Sequence, residues 1–253
     1  MTGSTATDAE ILLELNDLAR ADESLVQFPC LAGGHQYLRL YRLFRRHVEP
    51  GGQALDWGAG NGHFSYFLVR AGYRASGYSL EAWTPPTWLD GVGYRFACGR
   101  IHDPVTIPFP EASFDAVASV GVLEHVRETG GNEIASLREI KRVLRPGGVL
   151  VCYHLPNRYS LIDAVARLLP VHHHVYRYTR QDISRLAGAV GFELLAAGRY
   201  GMLPRNPLGR LPQAVRRSLR LARAYDITDD LLSRLLSPIC TNYYFVARSG
   251  SSR

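Results

Sequence analysis

Ala54-Leu55-Asp56-Trp57-Gly58-Ala59-Gly60-Asn61-Gly62-His63 runs from an apolar pair into an acid, then through three glycines at alternate positions. It reads as a strand that stops at Asp56, a glycine loop, and a helix opening near His63. Glycine lets a backbone turn with positive φ and lets a ligand lie against the main chain with no Cβ in the way. A helix N-terminus behind such a loop offers unpaired N–H groups and a positive dipole end, which suit a carboxylate or phosphate. The loop therefore asks for a small, partly anionic ligand. The bland alternative is a glycine-rich turn that binds nothing, since short glycine motifs recur by chance.

Spacing selects the ligand. A dinucleotide loop is G-x-G-x-x-G, and in that register His63 stands where the third glycine belongs. The pattern here is D-x-G-x-G-x-G. An acid two residues before the first glycine would repel a pyrophosphate but can accept hydrogen bonds from an ammonium. S-adenosylmethionine (SAM) carries an ammonium, a carboxylate and a sulfonium.

Three further stretches accompany the loop: Ile107-Pro108-Phe109-Pro110-Glu111-Ala112-Ser113-Phe114-Asp115-Ala116-Val117, Val122-Leu123-Glu124-His125-Val126 and Arg142-Val143-Leu144-Arg145-Pro146-Gly147-Gly148. With these motifs the chain resembles the class I SAM-dependent methyltransferases. In that family the three lead into strand four, follow it, and precede strand five. The resemblance covers residues 50–155 or so and fades outside them. It implies a doubly wound α/β fold, a mostly parallel seven-stranded sheet with helices on both faces, and SAM as cofactor with S-adenosylhomocysteine (SAH) as product.

Composition fits an enzyme of this kind. The 253 residues are 46% hydrophobic and 21% charged, ordinary values for a globular chain long enough to bury a sizeable core. No window reaches the apolar length of a membrane span, and the polar start does not resemble a secretory signal. Cys30, Cys98, Cys152 and Cys240 form no C-x-x-C pair, so buried reduced thiols in a cytoplasmic protein are expected. The formal charge of +6 is carried almost wholly by arginine, Lys141 being the only lysine. Arginine favours carboxylates and phosphates. These arginines are dispersed without interleaved aromatics, so no nucleic-acid partner is expected and a basic solvated surface is the favoured reading.

Strands and helices alternate, as in a parallel sheet covered on both faces. Asp8–Ala21 and the run from Tyr37 to Phe44 have helical spacing. Strands are expected at Gln53–Asp56, Arg74–Tyr78, Tyr94–Ala97, Ala116–Val120, Val149–Tyr153, Phe192–Ala197 and Thr241–Ala247. Asn157–Leu169 is a helical pattern ended by Pro170. Thr179 and Asp182 look like a capping box, with Gly191 just past that helix. The last two strands are joined in the family by a short turn; here Arg199 to Cys240 intervene. A structureless loop that long would be unusual, so helices are expected around Leu208–Ala224 and Thr228–Leu236. The chain thus divides into an N-terminal helical cap (1–50), a core (51–199 with 241–248) and an inserted helical lid or dimerisation segment (200–240). Leu208, Leu211, Val215, Leu219 and Ala222 mark an apolar stripe in the insert. A substrate lid or homodimer surface is favoured over contact with an anionic membrane.

Carried over residue by residue, the resemblance gives Asp56 to the methionine ammonium and Gly58, Ala59, Gly60 and Gly62 to the methionyl group and ribose. Val120 ends strand four beside them, and Leu80 would pack on adenine. Asp103 sits where the family often has an acid on the adenine amino group; a turn before Pro104 is the competing role. Pro104 has no N–H to give adenine. Ser79 holds the place of the family's ribose-gripping acid, a weaker acceptor than a carboxylate; Glu81 is the alternative. Trp83 and Trp88 could line the same pocket, although packing explains each as well.

In-line methyl transfer needs alignment above all, and a base only where the acceptor must lose a proton. His154, just past strand five, is expected to be a base or substrate contact. His125 is the second candidate, although a structural or cofactor-side role is favoured. Tyr37, His154 and His174 are expected to line the acceptor pocket. The run His172-His173-His174 is read as a polar loop: neighbours in a row cannot all face one ion, and no second ligand cluster is evident, so no metal is expected. The reading is a methyltransferase acting on a small or medium-sized metabolite, most simply at oxygen because histidines lie near. Transfer to nitrogen or carbon, and a SAM-binding partner subunit without activity, are the alternatives. A nucleic-acid or protein methyltransferase is weaker, for want of a basic stripe or an Asn-Pro-Pro-Tyr-type element.

Overall fold

The computed structural model describes residues 5–80, 85–90, 93–168 and 174–250. Glu81, Trp83, Pro170, His172 and His173 lie outside the described residues. In chain order the elements are α1 (Asp8–Leu18), α2 (Leu31–His35), α3 (Tyr37–His47), β1 (Gln53–Trp57), α4 (His63–Arg70), β2 (Arg74–Ser79), β3 (Arg95–Cys98), β4 (Phe114–Val120), α5 (Glu133–Val143), β5 (Leu144–Pro156), α6 (Leu161–Ala166), α7 (Arg180–Val190), β6 (Phe192–Tyr200), α8 (Gln213–Arg216), α9 (Leu219–Leu235) and β7 (Asn242–Ser249).

The strands form one sheet in the order β3-β2-β1-β4-β5-β7-β6. Pairings from β3 through β5 are parallel, and β7 lies antiparallel between β5 and β6. The winding direction reverses between β1 and β4. In open α/β sheets the crevice at the carboxyl ends of such strands is where ligands bind. Asp56 sits there, in register with Gly77 on one side and Ala118 on the other.

Alternation along the strands sends successive side chains to opposite faces. Ala54, Ala116 and Val151 join a core with Ile11, Leu15, Tyr41, Phe44, Phe64 and Phe67. Leu55, Val117 and Leu150 join another with Leu137, Ile140, Ile183 and Phe245. Tyr41 and Phe67 stack at 4.0 Å, which fixes α3 on α4. Each such fully buried side chain contributes about 1.5–3 kcal/mol.

Local signals set the helix ends. Thr179 and Asp182 close a capping box on α7, and Gly191 ends that helix with φ +71°. Thr7 and Glu10 do the same for α1. Elsewhere the structure departs from the sequence expectation. Of the helix expected over Asn157–Leu169, whose last residue lies outside the described residues, Leu161–Ala166 is helical and 157–160 and 167–168 are not. Asn157 instead spends its side-chain amide on the Pro238 and Cys240 carbonyls, tying the end of β5 to the insert. In the insert, a 3-10 turn (Asn206–Arg210) and the short α8 replace a long first helix, and α9 runs unbroken through the expected gap at 225–227. Pro212, which lacks an N–H, caps α8 and separates it from the turn. The stripe is correspondingly incomplete: Ala222 is buried, whereas Leu211, Val215 and Leu219 are exposed.

Candidate active site

The glycine loop is wound as its spacing demands. Gly58, Gly60 and Gly62 have φ of +81°, +51° and +79°. The Gly58 and Ala59 amides both donate to the Tyr78 carbonyl, and Gly62 donates to Ala59, so the loop is held by its own backbone. A Cβ on Gly60 would meet nothing closer than the Gly58 carbonyl at 3.7 Å, so a ligand can approach that face. Gly62 is the N-cap of α4 and provides no side-chain acceptor for its first amides. These are the features of an anion-binding helix start.

Beneath the loop, Asp56 is 1% exposed. Its Oδ2 accepts from Ser65 Oγ at 2.7 Å, and Ser65 Oγ lies 3.0 Å from the Tyr94 hydroxyl. No cation pairs with it among the described residues. Burial pushes its pKa up to about 6, against the opposing pull of the Ser65 hydrogen bonds. A buried carboxylate in that state gains strongly from a cationic partner, and the ammonium of SAM has the right charge. The residues present thus fit the methionyl end of that cofactor.

The adenosine side is less committed. Ser79 ends β2, half-buried, with its carbonyl taken by Gly99. Leu80 packs against the core on the Leu55 side of the sheet. Asp103 accepts from the Thr106 amide at 3.2 Å and bridges back to Arg100, which is the turn-forming role; its carboxyl is held below the usual range by the Thr106 hydrogen bonds. Trp88 donates to Asp22 and stands edge-on to Tyr66, a packing role.

Beyond Val120 opens a cavity of about 1320 Å³. Tyr37, His63, Val120, His125, His154 and His174 all line it, so the residues expected around the acceptor meet in one space. His154 has φ +64°, an uncommon conformation for a non-glycine residue. The Tyr200 hydroxyl takes its backbone N–H at 3.0 Å and lies 2.9 Å from its Nδ1; Asn242 Nδ2 is 3.5 Å from the same nitrogen. Its Nε2 is buried without a partner. Burial, and then the charges of His63, His174 and Arg205, push its pKa down to about 3, so the ring is neutral at physiological pH.

His125 is half-exposed, its Nδ1 2.9 Å from Glu128 Oε2. Glu124 beside it is 3% exposed with Oε2 unpaired, and burial pushes its pKa up to about 8. The chain returns His174 to this spot, its ring centroid 5.7 Å from that of His125. Among the described residues His174 thus stands with Glu124 and His125, ligand types that the sequence reading did not place near the histidine run.

Sequence reasoning missed five groups. Ser65 and Tyr94 support Asp56. His63 is buried against Tyr37 at 4.5 Å, its pKa pushed down to about 3 by burial. Asn61 bonds Ser24 and Gln27, laying the segment before α2 over the loop. Arg205 ties Asp226 and Asp229 to the Ala32 carbonyl, and His35 bonds Asp226 at 2.7 Å. Arg39 pairs with Asp230. These contacts roof the cavity with α9 and α2. None has a local pattern, since each joins residues far apart in the chain.

Residues 55–152 match the family described as "Methyltransferase domain". Among curated proteins the chain is similar to the "Probable tRNA methyltransferase 9B" of Bos taurus, 31% identical over 112 residues, which cover 44% of this chain and 23% of that protein. It is also similar to the malonyl-acyl-carrier-protein O-methyltransferase of Serratia marcescens, 34% identical over 105 residues, which cover 41% and 38%. The chain thus spans less than half the length of either relative. The crystal structure of a Burkholderia thailandensis 1,6-didemethyltoxoflavin-N1-methyltransferase, with 1,6-didemethyltoxoflavin and SAH bound, aligns over 99% of this chain and 94% of that one. Its TM-score is 0.53 at 17% identity, a likeness of fold alone.

Proposed function

We propose that the chain is a class I SAM-dependent methyltransferase, a reading supported by the match of residues 55–152 to a methyltransferase domain, and that it transfers a methyl group from SAM to a hydroxyl oxygen of a small or medium-sized metabolite. The observation that carries the reading is Asp56, a buried carboxylate with no cation beside it among the described residues, under three left-handed glycines at a topological switch point. SAM, when bound, supplies an electrophilic methyl group on a sulfonium. Asp56 holds its ammonium, with Ser65 and Tyr94 keeping the carboxylate in place. Gly58, Ala59, Gly60 and Gly62 form the cradle, Val120 flanks it, and Ser79 and Leu80 face the nucleoside.

The cavity beyond Val120 receives the acceptor. Its roof, α9 stapled to α2 and α3, fixes the acceptor's approach, where alignment supplies much of the rate. In our reading the Tyr200 hydroxyl donates a hydrogen bond to His154 Nδ1, which fixes the tautomer that has an Nε2–H facing the cavity as a donor to an acceptor oxygen. A ring this hard to protonate is a poor general base, so His154 orients the acceptor and does not deprotonate it. The exposed apolar residues Ile227, Leu231 and Leu235, one turn apart on α9, support a homodimer.

The two curated relatives match less than half of this chain and less than half of their own length, so their acceptors do not carry over. Incubation with methyl-labelled SAM and metabolite fractions, followed by mass spectrometry, tests the proposal. Label on a hydroxyl oxygen is expected. Label on nitrogen or carbon contradicts the oxygen assignment. Donor binding with no transfer across many fractions points to a partner subunit.

A further inference from the structure

Glu124, His125 and His174 come together from two distant segments at the carboxyl end of β4. Each offers one ligand atom, and these atoms lie within 4.8 Å of one another. Donors about 2.1 Å from a tetrahedral ion stand about 3.4 Å apart, so an ion would draw them in by an ångström or so, within reach of the half-exposed His125 and His174 rings.

Two features mark a built site. Glu124 is 3% exposed, and its Oε2 has no hydrogen-bond partner, an uncompensated buried acceptor. Glu128 holds His125 by Nδ1 at 2.9 Å, which turns Nε2 toward Glu124 Oε1, 4.0 Å away. A carboxylate fixing the far nitrogen of a histidine is the usual outer arrangement of metal ligands, because it sets the tautomer and raises ligand basicity. Gly121, with φ +70°, leaves the space between Glu124 and His154 open: a Cβ there would lie 3.8 Å from Glu124 Oε1 and from His154 Cβ.

We propose that Glu124, His125 and His174 bind a divalent first-row transition cation at the wall of the acceptor cavity, with Glu128 as the positioning residue for His125. Two histidines and one carboxylate leave coordination positions open, as in catalytic sites and unlike closed structural ones. The cation's role rests on the methyltransferase reading. Bound to an open position, the acceptor hydroxyl loses its proton to water more readily. Its oxygen then bonds the methyl carbon as the carbon–sulfur bond breaks, and sulfur keeps the electron pair and becomes a neutral thioether. This supplies the deprotonation that His154 does not.

The test uses tag-free full-length protein stripped with EDTA and titrated with CoCl2, ZnCl2 or MnCl2. Binding is followed by calorimetry and by the visible spectrum of Co2+, and SAH affinity is measured on the same samples. A single saturable ion per chain is expected. Glu124→Gln, His125→Ala and His174→Ala should each weaken it by about 100-fold, and Glu128→Gln by about 10-fold, with the fold checked by circular dichroism. No saturable ion in the wild type, or an affinity unchanged in all three ligand variants, overturns the proposal. SAH binding without metal binding sinks this inference alone; metal binding without SAH binding leaves the site standing and sinks the methyl-donor reading.

Discussion

Asp56 and His63 are one helical entry apart and titrate in opposite senses. Burial raises Asp56 from 3.8 to about 6. Between those values the folded chain holds a proton that the unfolded chain has released, so stability falls as pH rises through the window. At pH 7 the ionised carboxylate, hydrogen-bonded to Ser65 but paired with no cation among the described residues, costs on the order of 3 kcal/mol. Asp56→Asn should therefore raise the melting temperature of the ligand-free protein at pH 7 while weakening SAH binding by 100-fold or more. Thermal scans and calorimetry on the same samples check both arms. His63 behaves the other way: its folded pKa is about 3 against 6.5 unfolded. Its stabilisation is whole above pH 6.5 and is lost as pH falls toward 3, at up to about 1.4 kcal/mol per pH unit. His154 adds a slope of the same sign. Urea titrations from pH 7 to 5 should show a shallower loss for His63→Phe than for wild type; parallel curves would contradict the assignment.

At the scale of elements, the turn from β1 into α4 and the pairing of β1 with β2 form one unit. Gly77 of β2 faces Tyr94, whose hydroxyl occupies the place a Cβ would take. Gly77→Ala should cost about 1–3 kcal/mol through overpacking. The double variant with Tyr94→Phe should recover part of that loss, because it removes the colliding oxygen; strict additivity in denaturation experiments would argue against the contact. This unit was largely legible in the sequence. Ala54-Leu55-Asp56 and the glycines are local signals for strand, loop and helix, and Thr179 with Asp182 and Gly191 bracket α7 as their chemistry requires. What was not legible depends on distant partners. Asn157 leaves a helical pattern because the insert's carbonyls claim its amide, and α9 continues past Tyr225 because Arg205 draws Asp226 and Asp229 to one side. Ser65 supports Asp56 only because α4 lies along β1, and His174 stands near Glu124 although fifty residues separate them in the chain.

For the whole molecule, the insert joins the N-terminal helices to the far edge of the sheet across the cavity mouth. Arg205 is the knot, 9% exposed between two carboxylates. Arg205→Met would take the guanidinium from both acids, leaving Asp226 with His35 and Asp229 with the Met202 and Leu203 amides, and breaking such a buried pair typically costs about 3–5 kcal/mol. Since it detaches the roof and not the cradle, the variant should raise KM for the acceptor while leaving SAH affinity within about twofold of wild type. A matching loss of SAH affinity would show that the roof and cradle are one unit.

Isothermal titration of SAH into the ligand-free protein, with Asp56→Asn alongside and a dinucleotide as competitor, tests the central claim most directly. One site per chain is predicted, abolished in the variant and indifferent to the dinucleotide. No heat with SAH, unaltered affinity in the variant, or displacement by the diphosphate would contradict it.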